Sequence, residues 1–203
     1  PLRVEVAPAG TTSELVEQEI FVVSQETRPQ LLEKILGEYH GTVLIFTRTK
    51  HGARKLATII RNMGHTADEI HSNRSLGQRR NALAGFKSGK YRILVATDIA
   101  ARGIDVIGIE LVVNYDLPEN PDDYLHRIGR TGRANHVGKA ISLATPHQAS
   151  KINAIEHAIR TRLHITKTPT DLPPRRAAPP RLPPTDRGRS SFQGRSQRFR
   201  RRN

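Results

Sequence analysis

A chain of 203 residues is long enough for one domain with a sizeable core plus appendages. A formal net charge of +14 and a pI near 11.0 make a polyanion the first partner to consider. The absence of cysteine excludes disulfides and thiolate metal sites, and no apolar run approaches a membrane span, so no membrane partner is expected.

The charge is uneven. Residues 166–203 hold 11 of the 33 lysines and arginines but only 2 of the 19 acids, a local net of +9. The other 165 residues are only mildly basic. The chain opens Pro1-Leu-Arg-Val with no initiator methionine and no secretory signal, which reads as a fragment or a processed product. Cysteine-free composition fits a reducing compartment, and a cytoplasmic location is expected.

Residues 1–18 are polar and irregular and read as a linker. Glu19–Ser24 is a β-branched strand candidate. Thr27 is placed to cap a helix with Pro29 in its first turn and Leu31, Leu32, Ile35 and Leu36 as its apolar stripe, ending near Gly37. Thr42–Thr47 is almost wholly apolar, as a strand buried on both faces requires. Residues 50–63 read as a helix stopped by Gly64. A strand near 66–71, a helix from Gly77 to Phe86, a turn at Lys87–Lys90 and strands at Tyr91–Ala96 and Glu110–Tyr115 follow. Pro121 starts another helix, Gly138–Ala144 is a last strand, and residues 147–162 form a closing helix. Strands alternating with helices predict a parallel sheet with helices on both faces. Ligands of such sheets sit beyond the carboxyl ends of the strands. Thr47-Arg48, His71-Ser72, Thr97-Asp98 and Asp116-Leu117 should therefore share one rim.

From Thr166 the composition changes. Seven of the 13 prolines fall in 169–184, and 187–203 is arginine-rich with Phe192 and Phe199 interleaved. Residues 166–203 read as a disordered basic C-terminal tail, with arginine for phosphates and phenylalanine for base stacking on RNA.

The stretch His126–Arg133 carries Arg127, Arg130 and Arg133 at a spacing of three, with Gly129 and Gly132 between. On a loose helix they would lie on nearly one face and point into one cleft. Three rigid guanidinium forks suit charge developing on a transferring phosphoryl group. The scattered histidines, among them His147, His157 and His164, lack ligand spacing, and no metal site is expected.

Val43–Lys50 (VLIFTRTK), Val95–Val106 (VATDIAARGIDV) and His126–Arg133 (HRIGRTGR) together resemble motifs IV, V and VI of DEAD-box ATP-dependent RNA helicases, in order and spacing, over about residues 20–162. The basic tail most resembles the bacterial RhlE type. The resemblance implies a RecA-like α/β domain spanning 19–165. It implies that Arg130 and Arg133 are arginine fingers on the ATP γ-phosphate and that Gly103 and Asp105 approach the ribose. It implies that His126 and Arg127 couple across a domain cleft, and that Thr47, Arg48, Gln78, Thr97 and Arg102 contact RNA. Two departures stand out. The family's Gln-x-x-Arg element reads Gln78-Arg-Arg-Asn81, and its His-Gly reads His71-Ser72.

The sequence has no P-loop, no Asp-Glu-Ala-Asp and no Ser-Ala-Thr. The phosphate cradle and the Mg2+ carboxylate are then expected on an N-terminal RecA-like domain of the same protein. The fragment alone is expected to be inactive. RNA is the expected partner, with RNA-processing or ribosome-related complexes beyond it. The alternative reading is a stand-alone RNA-binding or annealing module acting through the tail. A third is a DNA-translocating helicase domain.

Overall fold

The computed structural model describes residues 15–102, 104, 106, 108–132 and 137–174. Numbered in chain order, the elements are β1 (Val16–Val22), α1 (Arg28–Glu38), β2 (Val43–Phe46), α2 (Lys50–Asn62), β3 (Ala67–Ile70), α3 (Leu76–Lys87) and β4 (Ile93–Ala96). They continue with α4 (Asp98–Ala101), β5 (Leu111–Asn114), α5 (Pro121–Ile128), β6 (Gly138–Ala144), α6 (Ala149–Ile159) and β7 (His164–Thr166).

The strands form one parallel sheet in the order β3-β4-β2-β5-β6-β1-β7. β2, β4 and β5 are buried at every residue, which is why their sequences run apolar without alternating. Successive side chains still point to opposite faces. Val43 and Ile45 pack with α1 and α2, through Leu31, Leu32, Ile35, Leu56 and Ile60. Leu44 and Phe46 pack on the other face with Phe86 of α3 and Ala100 and Ala101 of α4. Ile20 and Ala144 take Tyr124 and Ile128 of α5 and Ile155 of α6 on that same second face. Each large aliphatic side chain so enclosed contributes roughly 1.5–3 kcal/mol.

Register places the site. Ile70, Ala96, Phe46 and Asn114, the last residues of β3, β4, β2 and β5, are paired across the sheet, and Asn114 pairs on to Ser142. His71, Thr97, Thr47 and Tyr115-Asp116 therefore emerge side by side at one rim.

Most elements fall where the sequence places them, with displaced ends. β1 starts at Val16 rather than Glu19 and ends at Val22, because it follows β6 in register from Val16–Gly138 to Val22–Ala144. Thr27 does not cap α1 through its side chain; its hydroxyl meets that of Ser24 at 2.8 Å. Gly37 lies inside α1, which ends at Glu38. The closing helix is shorter than expected: a 3-10 turn at Pro146–Gln148 precedes α6, and Arg160 closes it with φ of 54°. The four-residue α4 has no apolar periodicity to announce it.

β7 straddles the expected boundary at 165–166. It lies parallel to Glu19–Phe21 at the sheet edge. The following segment docks on α1: Gln30 Nε2 donates to Pro173 O at 2.7 Å, Lys34 Nζ lies 2.8 Å from Asp171 Oδ2, and Leu172 packs against the core. The ordered fold thus reaches Pro174, beyond the point at which the composition turns. The rest of the proposed tail, 175–203, and linker residues 1–14 lie outside the described residues.

Candidate functional site

The site is built around Arg127. Asn120 caps α5 by accepting from the Asp122 N–H at 3.1 Å, and Pro121 fits the first turn. Tyr124, Arg127 and Ile128 form the buried side of this helix. Arg127 is only 2% exposed. Its Nε and Nη2 donate to both carboxylate oxygens of Asp98, at 2.5 and 2.8 Å. Its Nη1 donates to Asn114 Oδ1 at 3.1 Å and Asp116 O at 2.6 Å. The guanidinium carbon lies 5.0 Å from the centroid of the Phe46 ring. A buried cation is tolerated only when its donors are met, and here a bidentate carboxylate, an amide, a carbonyl and a ring face meet them.

Arg127 and Arg130 do not share one helical face. α5 ends at Ile128, with Gly129 as its C-cap, so Arg130 follows the helix. Arg127 is engaged by Asp98, Asn114 and the Asp116 carbonyl at the floor of the cleft rather than reaching out of it. The chain beyond is held by Thr131, whose hydroxyl donates to Ile109 O near the start of β5. Gly132 turns at φ of 66°, with Leu15 O and Val16 crowding the place a side chain would fill. A Cβ on Gly138 would sit 2.3 Å from Gly132 N. The glycines therefore serve chain packing. Arg133 lies outside the described residues.

Arg130 Nη1 donates to Ile104 O at 2.8 Å, beside the expected ribose residue Asp105. Gly103 and Asp105 themselves are outside the described residues. Arg130 lines a shallow cleft of about 210 Å³ with Phe46, Asp98, Arg102, His126 and Arg127. Asp123 completes the lining: its Oδ1 lies 3.7 Å from Arg102 Nη2 and 3.8 Å from His126 Nδ1. Arg102 and His126 are 72% and 75% exposed, so both are open to a second surface.

The expected RNA residues divide by exposure. Thr47 is buried and its hydroxyl donates to Thr49 O at 3.4 Å, so its side chain is not offered at the rim. Arg48 is exposed; its backbone N–H donates to Asp116 Oδ2 at 3.0 Å and its guanidinium pairs with Glu119 at 3.3 Å. Glu119 also accepts from Lys151 Nζ at 2.7 Å, and Lys151 first, then Arg48, holds its carboxyl below the usual range. Thr97 stands at the N-cap of α4 without making a side-chain cap bond. Gln78 is exposed, but its Oε1 accepts from the Ser75 N–H in a capping box, a structural duty its spacing from Ser75 could have announced. Asn81 and Ser72 are exposed. His71 is buried with neither ring nitrogen hydrogen-bonded among the described residues, and burial lowers its pKa.

Sequence reasoning left Arg28 unassigned. It is buried in the first turn of α1, where a cation opposes the helix dipole, and that misplacement was the available signal. Its Nη1 donates to Asp116 Oδ1 at 3.1 Å, and Nη2 to Leu143 O and Gln148 Oε1, each at 3.2 Å. Asn114 and Ser142 carry no expected role, and Asp98 is expected only as a rim residue; Asn114 Nδ2 donates to Ser142 Oγ at 3.0 Å beneath Arg127.

Among the described residues no group of three or more acidic or histidine side chains could hold a metal. His147, His157 and His164 are exposed. No described helix is long and apolar enough to cross a membrane.

A parallel sheet with its polar residues gathered at the strand ends defines a RecA-like α/β domain. Residues 27–135 match the model of the helicase conserved C-terminal domain. The chain is 39% identical over 171 residues to the ATP-dependent RNA helicase DbpA of Bacillus subtilis, covering 84% of this chain and 36% of DbpA. It is 38% identical over 172 residues to RhlB of Shewanella halifaxensis, covering 84% of this chain and 39% of RhlB. Among solved structures, E. coli DEAD-box protein SrmB bound to RraA superposes with a TM-score of 0.70 at 30% identity, covering 81% of this chain and 98% of that one. S. cerevisiae Dbp5 bound to RNA and ADP BeF3 gives 0.71 at 31% identity, covering 79% and 43%. The chain belongs to the DEAD-box ATP-dependent RNA helicases, as their C-terminal helicase domain. It spans well under half the length of the curated relatives it matches.

Proposed function

We propose that this domain is the C-terminal half of an ATP-dependent RNA helicase, completing a nucleotide site whose other wall lies on an N-terminal RecA-like domain. The observation that carries this is the Arg127–Asp98 lock, which holds the end of α5 and with it Arg130, whose Nη1 reaches Ile104 O. At about 210 Å³ the cleft is smaller than pockets that enclose a ligand, as half a site should be. Its guanidinium groups fit the charge of a triphosphate.

In this reading Arg130 and Arg133 stabilise charge on the γ-phosphate, and Gly103 and Asp105 receive the ribose. ATP, with Mg2+ held by the other domain, supplies the phosphoryl chemistry. His126 and Arg102, both exposed at the cleft, meet the partner domain and the RNA path. Arg127 acts from below by holding α5 against α4. On the RNA side, Arg48 and Thr97 face the strand; Thr47 shapes the turn, and Gln78 orients α3 and its exposed Asn81. The basic tail supports a place near the RhlE type and a second RNA contact.

In the complete helicase, Arg130→Ala is expected to lower ATP turnover by about 10³-fold or more, the scale of arginine-finger losses. Unchanged turnover would refute the role. A stand-alone RNA-binding role is favoured only by the tail's charge. Removing 175–203 should then abolish most RNA affinity of this chain and its salt dependence.

A further inference from the structure

We propose that Asp116 is a positioning residue that ties the RNA-facing turn at Arg48 to the arginine-bearing helix α5. The proposal rests on the reading of Arg48 as an RNA contact. Asp116 uses three acceptors on three elements. Oδ2 accepts from the Arg48 backbone N–H at 3.0 Å, Oδ1 accepts from Arg28 Nη1 at 3.1 Å, and its backbone carbonyl accepts from Arg127 Nη1 at 2.6 Å. Arg127 continues the chain of contacts to Asp98.

Each bond has a consequence. The Arg48 bond fixes the main chain of the turn after β2, and so the direction in which the guanidinium leaves it. The Arg127 bond fixes the end of β5 against α5, which leads into Arg130. Arg28 supplies the counter-charge that keeps Asp116 in place, and is itself held by Leu143 O and Gln148 at the end of β6 and the turn beyond. A buried guanidinium at the wrong end of a helix dipole is costly unless it is strongly paired. Arg28 is paired to the carboxylate of Asp116, the residue whose side chain holds Arg48 and whose backbone carbonyl holds Arg127. Movement of α5 on domain closure would therefore reach Arg48 through two hydrogen bonds sharing one residue. Two residues joined in this way should show non-additive substitution effects.

The test uses the complete helicase. Asp116→Asn keeps one acceptor for Arg28 but turns an NH2 toward the Arg48 N–H, setting two donors face to face. The expected result is about a ten-fold rise in the RNA concentration giving half-maximal ATPase stimulation, with the KM for ATP moving less than about two-fold; a purely structural loss would not split the two. In an Arg48→Ala background the same substitution should add little. If Arg48→Ala raises the half-saturating RNA concentration and Asp116→Asn does not, or if the two effects multiply, the proposal is overturned. If Arg48→Ala has no effect, the RNA role of Arg48 fails, and the proposal with it. Should Asp116→Asn not fold, Arg28→Lys, which keeps the charge but loses the fork to Leu143 and Gln148, is expected to shift RNA half-saturation about three-fold in the same direction. No shift in that variant would equally reject the idea.

Discussion

Arg127 and Asp98 meet through two parallel hydrogen bonds, joining the helix of one helicase motif to the first residue of the short helix of another. Removing one partner of a fully buried pair costs about 3–5 kcal/mol, and because Asp98 is 27% exposed and keeps water, the loss of Arg127 is expected at or below the lower end of that range. Arg127→Ala should lower the urea midpoint of this chain accordingly. Arg127→Lys should not restore it, because an ammonium cannot span Asp98, Asn114 and the Asp116 carbonyl at once.

Gly138 is expected to reject the smallest side chain. In a strand, alanine normally gains about 0.5–1 kcal/mol over glycine. Here a Cβ would lie 2.1 Å from Thr131 Oγ1 and 2.3 Å from Gly132 N, and a backbone atom cannot swing aside. Gly138→Ala should therefore destabilise by about 3 kcal/mol, at the upper end of overpacking penalties. Denaturation that is unchanged or improved would show that the loop after α5 yields.

Alkaline pH should loosen the fold through two tyrosines. Burial pushes Tyr115 and Tyr124 up to about 12, from an ordinary value near 10. A folded-state pKa raised above the unfolded value means that the stability is fully present below pH about 10 and is lost as pH rises toward 12. Each tyrosine carries on the order of 2–3 kcal/mol of this dependence at most. Urea midpoints measured from pH 9 to 12 should fall, and Tyr115→Phe or Tyr124→Phe should flatten the fall. The Tyr124 change also removes the bond to Gln18, so its stability at pH 9 should start slightly lower.

Glu119 pairs with two cations, Arg48 on the turn proposed to face RNA and Lys151 on α6. A carboxylate held there competes with phosphate for the same donors. Glu119→Gln should tighten single-stranded RNA binding by a few-fold and steepen its salt dependence by up to about one unit of slope. Fluorescence anisotropy across a salt series reads both. Weaker binding would show instead that Glu119 orients the two cations.

The sheet was legible because β2, β4 and β5 are short apolar runs between turn residues, and burial on both faces leaves them no other reading. α4 escaped notice because four residues offer no period, and β7 because it borrows its stability from pairing with β1. The inward turn of Arg127 was hidden for another reason. Spacing of three describes a helix, and it overrides the stop that Gly129 in HRIGRTGR signals after Ile128. The partners that decide it, Asp98 and Asn114, are distant in sequence. Gln78 and Thr47 show the same limit, since motif position named their neighbourhood but local hydrogen bonds claimed their side chains.

The docked segment ending at Pro174 bears on how the arginine-rich end can act. Pro173 is fastened to Gln30, in the first turn of α1. Lys34 adds a second fastening through Asp171, and Leu172 seats between them against the core. The chain therefore leaves the described fold from a pinned point on α1, and any segment joined there departs from a defined place on the domain.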